Sequence, residues 1–268
     1  MLIRSEESGV QLNLRDLWAY RELLYFLTLR DIKVRYKQTL MGAAWVIIQP
    51  LMTMLIFTLI FNRFARLDTK DIPYPLFAYS GLLLWTFFAN AVTSGTYSLI
   101  NNSHLVTKVY FPRVFIPTAS VGAGLVDFAI AFLLLIALAF YFKVQLSWTL
   151  ALLPLFVLLA AVLALATGIL VSALTVKYRD LRHALPFIMQ FWMFASPVIY
   201  PTSIVPENWR WILLINPMTG VIEGFRAALT GHEFDWNLIL ISAVTGVLLL
   251  AIAYYVFRAL EDTFADVI

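Results

Sequence analysis

Histidines, cysteines and nucleotide-binding loops are the usual parts of a catalytic site, and this chain offers few of them. His104, His183 and His232 fall in separate connections on both sides of the apolar runs, so they do not predict one metal site. The absence of cysteine excludes disulfides, thiolate metal sites and a Cys nucleophile. No G-x-x-x-x-G-K-S/T phosphate loop is present, which excludes ATP hydrolysis by that loop. We predict no catalytic residue, no metal and no cofactor in this chain.

Asp127 is the only carboxylate inside the apolar run from Val114 to Phe142, about 21 Å of helix beyond Arg113. A charge at that depth is costly, so the side chain should face the protein interior, be protonated or reach toward the interface. A proton relay would need further ionisable groups at depth, and the other runs contain none. Two interpretations remain open: a hydrogen bond that stabilises the helix bundle, or a role beside a path through the membrane.

A basic cluster precedes the first apolar run and consists of Arg30, Lys33, Arg35 and Lys37. Cations at a membrane interface attract phosphate, so the cluster stands where a lipid pyrophosphate would arrive. The same residues would equally serve as a topology signal and as contacts for anionic membrane lipid.

The chain contains 41 aromatic residues, and several of them cluster inside the apolar runs. Most such side chains pack in protein or face lipid, and the remainder would line a path for sugars, whose C–H faces stack on aromatic rings. The candidates for that lining are Trp45, Phe57, Trp85, Phe88, Phe191, Trp192, Phe194 and Tyr200.

Composition places these residues in a membrane. The 268 residues are 62% hydrophobic and 13% charged, about half the charge of a soluble domain, and their mean hydropathy is +0.84. The segment from Met1 to Leu14 has no apolar h-region, so we expect no cleavable signal peptide. The sequence predicts a single all-α, polytopic integral membrane domain over 1–268.

The apolar runs predict six spans, at roughly 41–62, 74–99, 114–142, 150–175, 184–200 and 237–258. Before them, 13–38 alternates apolar and charged residues with helical period, which predicts an amphipathic helix at the membrane interface. Its apolar stripe is Trp18, Tyr25, Leu29, Ile32 and Tyr36.

The fifth run is broken by proline. Pro197 and Pro201 remove backbone donors and should end the helix at Tyr200, while Asn216-Pro217 divides the short apolar run that follows. We therefore predict an external re-entrant segment over 201–232. Broken helices at membrane depth occur where they are buried in protein or border a watery path, which favours transport as the function.

A charged pair follows the second break. Glu223 and Arg226 have the i, i+3 spacing of a local ion pair, which would fix the re-entrant element.

The distribution of Lys and Arg predicts the orientation. The N-terminal segment, the second and fourth connections and the tail together carry 13 of these residues, against six on the other side. Positive charge is enriched on the cytoplasmic side, so both termini should be cytoplasmic.

Two of the cytoplasmic connections differ from simple turns. Asn101 to Arg113 is long enough for a short helix before Pro112, and Val176 to His183 is compact and charged. Each is explained equally well by a solvated loop or by a short helix that docks on a cytosolic partner.

The order of the motifs resembles the ABC-2 type permeases that export polysaccharides, above all the O-antigen permeases of the Wzm type, with teichoic-acid and capsule permeases as relatives. The resemblance covers nearly the whole chain. It is carried by Arg30 to Gly42 leading to Trp45 and Gln49-Pro50, by Lys108 to Arg113, by Tyr178-Arg179-Asp180, by Ser196 to Pro201, and by Asn216-Pro217 with Glu223 and Arg226.

The resemblance implies a homodimer in the bacterial cytoplasmic membrane joined to two copies of a separate, Wzt-like ATPase that binds ATP and Mg. The expected substrate is a polysaccharide linked to undecaprenyl diphosphate, and no nucleic acid is expected. It also implies that spans one and five border the channel and that Pro197, Pro201, Asn216, Pro217, Glu223 and Arg226 belong to a re-entrant gate. The residues expected to contact the ATPase are Arg21, Glu22, His104, Lys108, Tyr110, Arg113, Tyr178, Arg179 and Asp180.

Three other functions remain as alternatives. The first is an ABC-2 permease for a drug or another lipid. A membrane-embedded glycosyl or acyl transferase would need Asp, Glu or His clustered at one membrane face, which the scattered histidines do not favour. A proton-coupled carrier would rest on Asp127 alone.

Overall fold

The structure, a computed structural model, describes residues 18, 20–37, 42, 44–64, 69, 72–109, 111–144 and 147–264, with the backbone alone at 62–64. Within these ranges the chain is helical and contains no strand, so the all-α prediction is confirmed for the described residues. The helices are α1 (Arg21–Tyr36), α2 (Ala44–Phe57), α3 (Tyr74–Asn101), α4 (Ser103–Lys108), α5 (Phe115–Tyr141), α6 (Leu153–Lys177), α7 (Leu181–Ala195), α8 (Arg210–Ile215), α9 (Pro217–Thr230) and α10 (Trp236–Glu261).

Shorter turns extend or connect these helices. A π-helical segment, Thr58–Phe64, continues α2, and a 3₁₀ turn, Trp148–Leu152, leads into α6. Two further 3₁₀ turns, Thr202–Ile204 and Glu207–Trp209, connect α7 to α8.

Prolines and side-chain caps determine where the long helices begin. Pro73 precedes α3, and Pro154 occupies the first turn of α6, where a missing N–H costs no helical hydrogen bond. At the start of α10, Asp235 Oδ1 accepts from the backbone N–H groups of Asn237 (3.1 Å) and Leu238 (3.2 Å). A carboxylate cap of this kind also favours the positive end of the helix dipole.

Five helical stretches among the described residues are long and apolar enough to cross a membrane: Ala44–Phe61, Tyr74–Asn101, Phe115–Tyr141, Trp148–Lys177 and Trp236–Glu261. A sixth is obtained if Glu207–Ile215 and Pro217–Thr230, which meet at a 95° bend, are counted together. These stretches support the prediction of a polytopic membrane protein.

α3 is the centre of the bundle. It packs against α6 and α5 along its length and against α9 near its start. In its most apolar stretch, 78% of the residues are buried. In the apolar stretch formed by α2 and its extension, only 11% of the residues are buried, so this first span lies at the periphery of the protomer.

One end of the bundle has a hydrophobic cluster of its own. This basal end is the one at which α3, α6 and α10 finish and α5 begins. Its cluster includes Leu27 of α1, Val106 of α4, Phe115 of α5, Val176 of α6 and Phe257 of α10. α1 and α4, the short helices that precede α2 and α5, are thereby packed on the basal end of the long helices.

The predicted fifth span, 184–200, was wrong in its bounds. The helix is α7, which ends at Ala195, and Ser196 to Tyr200 follow as turns and bends. Ser196 is already extended, and its N–H is the last to reach back into the helix, on the carbonyl of Met193 at 3.2 Å. Fifteen residues make only about 22 Å of helix, short of the ~30 Å of a hydrocarbon core.

The predicted amphipathic helix over 13–38 corresponds in its described part to α1, while 13–17, 19 and 38 lie outside the described residues. α1 packs on α5 through Leu27, Thr28 and Asp31, and also through Tyr36, the last residue of the predicted apolar stripe. Trp18 and Tyr25 of that stripe are exposed. The beginning of the stripe is therefore available to a membrane surface, while its last residue takes part in holding α1 on the bundle.

Candidate functional site

Most residues expected to contact an ATPase lie at the basal end. His104 and Lys108 are exposed on α4, while Val106 of the same helix is buried in the basal cluster. Tyr178, Arg179 and Asp180 are exposed in the turn between α6 and α7. The apolar cluster buried beneath them thus holds these polar and charged side chains in place on the surface of the basal end.

Arg21 and Glu22, which open α1, are also exposed. Arg21 donates to the carbonyl of Trp18 at 3.2 Å and lies 5.1 Å from the centre of its indole ring. Tyr110, the remaining member of the predicted set, lies outside the described residues.

Arg113 links two elements of the basal end. Its backbone N–H donates to Glu261 Oε1 at 3.2 Å, and its guanidinium donates to the backbone carbonyl of Glu261. Glu261 also accepts from Arg258 at 2.7 Å. The start of α5 and the end of α10 are therefore held together by charge-assisted hydrogen bonds.

Asp127 is not isolated at depth, because two residues of α1 reach it. Arg35 forms an ion pair with Asp127 Oδ2, and the hydroxyl of Tyr36 donates to Oδ1. Burial raises the pKa of Tyr36, which keeps its hydroxyl protonated as a donor. The hydrogen bonds that the structural interpretation of Asp127 predicts are therefore present. Their donors belong to α1, which precedes the spans.

Two further contacts fasten α1 to α5. Ser120 donates to Asp31 at 3.3 Å, and Asp31 is paired with Arg30 at 2.8 Å. A Cβ added to Gly122 would lie 3.1 Å from a methyl group of Thr28, so the glycine allows the two helices to approach closely.

The four cations predicted to bind phosphate thus lie in two different environments. Arg30 and Arg35 are paired with carboxylates, whereas Lys33 and Lys37 are exposed. The carboxylate partners of Arg30 and Arg35 distinguish them from the two lysines, and phosphate binding by the cluster stays a prediction.

A cavity of about 280 Å³ opens beside the Arg35–Asp127 pair, between α1, α2, α3 and α5. Its apolar wall includes Trp45, Leu83 and Phe128, and its polar wall consists of Gln49, Thr86, Asn90, Thr93 and Ser94. None of the polar five was predicted as a site residue. The signal was available: Thr86, Asn90, Thr93 and Ser94 recur at i, i+4, i+7 and i+8, a polar stripe along one face of an apolar helix.

Side chains from the start of α3, from the cap of α9 and from α9 itself donate to the backbone carbonyls of the broken segment after α7. Asn216 Nδ2 donates to the carbonyl of Ala195 at 3.2 Å, and Arg226 Nη1 donates to that of Pro197 at 2.6 Å. Arg226 Nη2 reaches the carbonyl of Val198, and the hydroxyl of Tyr74 donates to Ile199 at 2.7 Å. Non-helical backbone at membrane depth needs partners of this kind.

Asn216 joins the two breaks. Its Oδ1 accepts from Trp192 Nε1 at 3.0 Å and from the backbone N–H of Met218 at 3.1 Å, which caps α9. Its Nδ2 also donates to Ser196 Oγ at 2.8 Å. Pro217 begins α9, and the bend therefore depends on one buried amide.

The predicted Glu223–Arg226 ion pair is present, at 2.9 Å. Arg226 is 3% exposed and its guanidinium carbon lies 3.6 Å from the ring centre of Phe77. Four of the six predicted gate residues, Pro197, Asn216, Glu223 and Arg226, thus contact one another or the broken backbone. Pro217 begins α9, and Pro201 continues the segment as an extended residue.

The predicted channel aromatics separate into two groups. Trp85 (5% exposed) and Phe88 (0%) pack in the core with the ring of Trp192, at 6.2 and 5.0 Å between ring centres. The prediction that Trp85 and Phe88 line a channel was therefore wrong. Phe57 and Tyr200 are partly buried, and Trp45, Phe191 and Phe194 are exposed.

Comparison with known sequences gives a consistent result. The sequence profile of the ABC-2 type transporter family matches residues 22–230. The O-antigen export system permease protein RfbA of Myxococcus xanthus is 32% identical over 256 residues, covering 94% of this chain and 97% of that protein. RfbA of Klebsiella pneumoniae is 28% identical over 249 residues, with coverage of 92% and 95%. The polysialic acid transport protein KpsM of Escherichia coli is 24% identical over 214 residues, with coverage of 75% and 79%.

Proposed function

The chain belongs to the ABC-2 type transporter family, and from that premise we propose that it is the transmembrane permease subunit of an ABC exporter of polysaccharide. It is a multi-pass protein of the bacterial inner membrane and a transport subunit rather than an enzyme. The observation that carries the proposal is the match, over 94% of this chain and 97% of the relative, to a protein named as an O-antigen export permease. Relatives named for transport of polysialic acid and export of capsule polysaccharide support the same class of substrate.

In this proposal a separate partner protein hydrolyses the ATP that drives export. Two copies of a Wzt-like ATPase, which hold ATP and Mg, dock on the basal ends of a homodimer of this chain. The exposed His104, Lys108, Tyr178 and Asp180 support this assignment, because they surround an apolar cluster that fixes the ends of four long helices. Both termini then lie in the cytoplasm, as the Lys and Arg count predicts.

ATP binding closes the ATPase dimer, and α4 and the turn before α7 receive that motion. The basal cluster transmits it as a rigid-body displacement, since packed interiors shift between discrete arrangements rather than deform continuously. The Arg113–Glu261 contacts keep α5 and α10 together during the displacement.

The conduit lies between two copies of the chain. α2 supports this proposal through its low burial, and α7 through the exposed Phe187 and Phe191 on one face. Trp45, Phe191 and Phe194 then border the path, and the Arg226-held broken segment forms its outer gate.

The substrate is a glycan on undecaprenyl diphosphate. Lys33 and Lys37 are exposed and attract the pyrophosphate at the cytoplasmic face, whereas Arg35 serves mainly to hold α1 on Asp127.

The test is complementation. Cells that lack the gene for this chain should accumulate lipid-linked glycan inside and lose glycan from the surface, and plasmid-borne chain should restore it. The measurement is surface glycan by antibody binding on intact cells, together with glycan in the membrane fraction. Normal surface glycan in the deletion strain would contradict the proposal.

A permease for a lipid or a drug is the second candidate. An apolar groove of about 460 Å³ between α5 and α6, lined by Phe132, Leu135, Ile136 and Val157 among others, favours it because an acyl chain would fit there. Vesicles containing the chain and its ATPase distinguish the two: glycolipid, and not drug or phospholipid, should stimulate ATP hydrolysis.

A further inference from the structure

Five polar side chains converge on the cavity beside Arg35 and Asp127 without a protein partner. Within the described ranges, the side chains of Gln49, Thr86, Asn90, Thr93 and Ser94 make no hydrogen bond to the protein. This is unusual for hydroxyl groups on helices. Thr53, Thr96 and Thr167 each donate to a carbonyl four residues earlier in their own helix, at 2.8 to 2.9 Å.

The depth of the cavity makes unpartnered polar groups costly. Asn90 lies 11 residues before the end of α3 and Asp127 lies 12 residues after the start of α5, about 17 Å from the basal end in either case. An amide or hydroxyl facing hydrocarbon at that depth loses its hydrogen bonds to water. Water or a polar ligand in the cavity would supply the hydrogen bonds that the stripe lacks.

The charges at the cavity decide which polar occupant fits. Arg35 is neutralised by Asp127 and Asp127 by Arg35 and Tyr36, so the site offers no uncompensated cation for phosphate and no free carboxylate for a metal ion. What remains is neutral: two amides and three hydroxyls, together with the exposed indole of Trp45. Amides and hydroxyls that both donate and accept, beside one flat apolar ring, suit a ligand that is rich in hydroxyl groups.

We infer that this cavity binds sugar units of the exported glycan within each protomer, between α2, α3 and α5. The inference rests on the proposed function and adds a site to it. The site shares Trp45 of α2 with the proposed border of the conduit and extends from there to Thr86, Asn90 and Thr93 of α3. The size, about 280 Å³, is close to the lower limit for small-molecule sites, which limits occupancy to a short stretch of glycan.

The absence of native cysteine permits a direct test. In Asn90→Cys, a water-soluble methanethiosulfonate reagent should modify position 90 in membranes from cells that cannot make glycan. In membranes from cells that make it, modification should slow about twofold or more, because a site that is half occupied by sugar shields half of the thiols at any time. Leu133→Cys, exposed on the outer side of α5, is the control and should react slowly in both membranes.

Three results would overturn the site. They are no modification of position 90 in either membrane, modification at the same rate in both, and a cross-link from position 90 to a second copy of the chain. Export of glycan by the Asn90→Cys cells is measured in parallel. If sugar does not protect position 90 but the chain still exports glycan, the site is wrong and the proposed function stands. If cells without the chain also export glycan, the proposed function itself is wrong.

A second pair of variants separates binding from folding. Asn90→Leu and Thr93→Val remove groups that have no protein partner, so thermal stability should be unchanged while the export rate falls about fivefold for each. Thr96→Val is the matched control, because that hydroxyl bonds its own helix at Val92 and faces the core. Export unaffected in Asn90→Leu and Thr93→Val would contradict the assignment.

Discussion

Arg226 Nη1 lies 2.6 Å from the carbonyl oxygen of Pro197, 29 residues earlier in the chain. The contact joins the re-entrant helix α9 to the backbone at which α7 has stopped. One buried guanidinium thus supplies donors that a helix would otherwise have supplied, and it is itself neutralised by Glu223. The broken segment is consequently a fixed structure, held from the side.

Replacing Arg226 with Gln should destabilise the protein severely. The carbonyls of Pro197 and Val198 would lose their donors in a buried site, at a cost of about 3–5 kcal/mol in the free energy of unfolding. In detergent the midpoint of thermal unfolding should fall by about 10 °C. Arg210→Gln, whose partner Glu207 is exposed, should change it by no more than about 2 °C. Equal midpoints for the two variants would show that Arg226 does not hold the break.

A designed disulfide tests the packing of α1 on α5. An ideal Cβ at Gly122 lies 3.9 Å from the Cβ of Thr28, within the range for a disulfide. Thr28→Cys with Gly122→Cys should therefore cross-link on mild oxidation, in a chain with no other cysteine. Gel mobility before and after reduction measures the yield, and either single variant is the control.

The same disulfide tests whether α1 moves relative to α5 during transport. The contacts of Arg35, Tyr36 and Asp31 fix the two helices to each other, so the oxidised protein should still export glycan. Export that stops on oxidation and returns on reduction would mean that α1 separates from α5 in each cycle.

Asp127→Asn should weaken the attachment of α1 without abolishing export. Asparagine still accepts from Tyr36, but Arg35 loses its counter-charge in a partly exposed site, at a cost of about 1–3 kcal/mol. Adding Arg35→Gln should recover about 1 kcal/mol of that loss, because the two substitutions act on one pair. Thermal unfolding of both singles and the double measures the coupling. Complete loss of export in a stable Asp127→Asn protein would instead assign the carboxylate to the substrate path.

The two groups of aromatics should respond differently to truncation. Phe88→Ala opens a hole in the core and should cost about 3–5 kcal/mol, seen as loss of folded protein. Phe191→Ala removes an exposed ring and should leave stability within about 0.5 kcal/mol while slowing export. Fluorescence-detected size exclusion and surface glycan measure the two effects. A stable Phe88→Ala, or normal export by Phe191→Ala, would reverse the assignment.

Charge reversal at the basal end should weaken assembly with the ATPase. Lys108→Glu places a negative charge on the exposed end of α4, and like-charge contact at an interface costs several kcal/mol, so recovery of ATPase by co-purification should fall at least about tenfold. Arg210→Glu, at the start of α8 and away from the basal end, is the matched control and should retain the ATPase. Normal assembly of the Lys108 variant would remove α4 from the interface.

The sequence by itself determined the features that depend on neighbouring residues. Apolar run length predicted the five stretches that are long enough to cross a membrane, although not the bounds of the shorter α7. Pro197 and the Asn216-Pro217 pair predicted the two breaks, because proline acts on its own helix. The i, i+3 spacing likewise predicted the Glu223–Arg226 pair, since one turn of helix places those side chains together.

Only the tertiary structure decided which residues meet across the bundle. The partner of Asp127 is Arg35, 92 residues away, and no local pattern connects them. Hydropathy also fails to separate Phe88 from Phe191, because lipid is as apolar as a protein core and either surrounding suits a phenyl ring. The polar stripe from Thr86 to Ser94 was readable as a helical face, but that it borders a cavity with Trp45 and Asp127 follows from the packing of three spans.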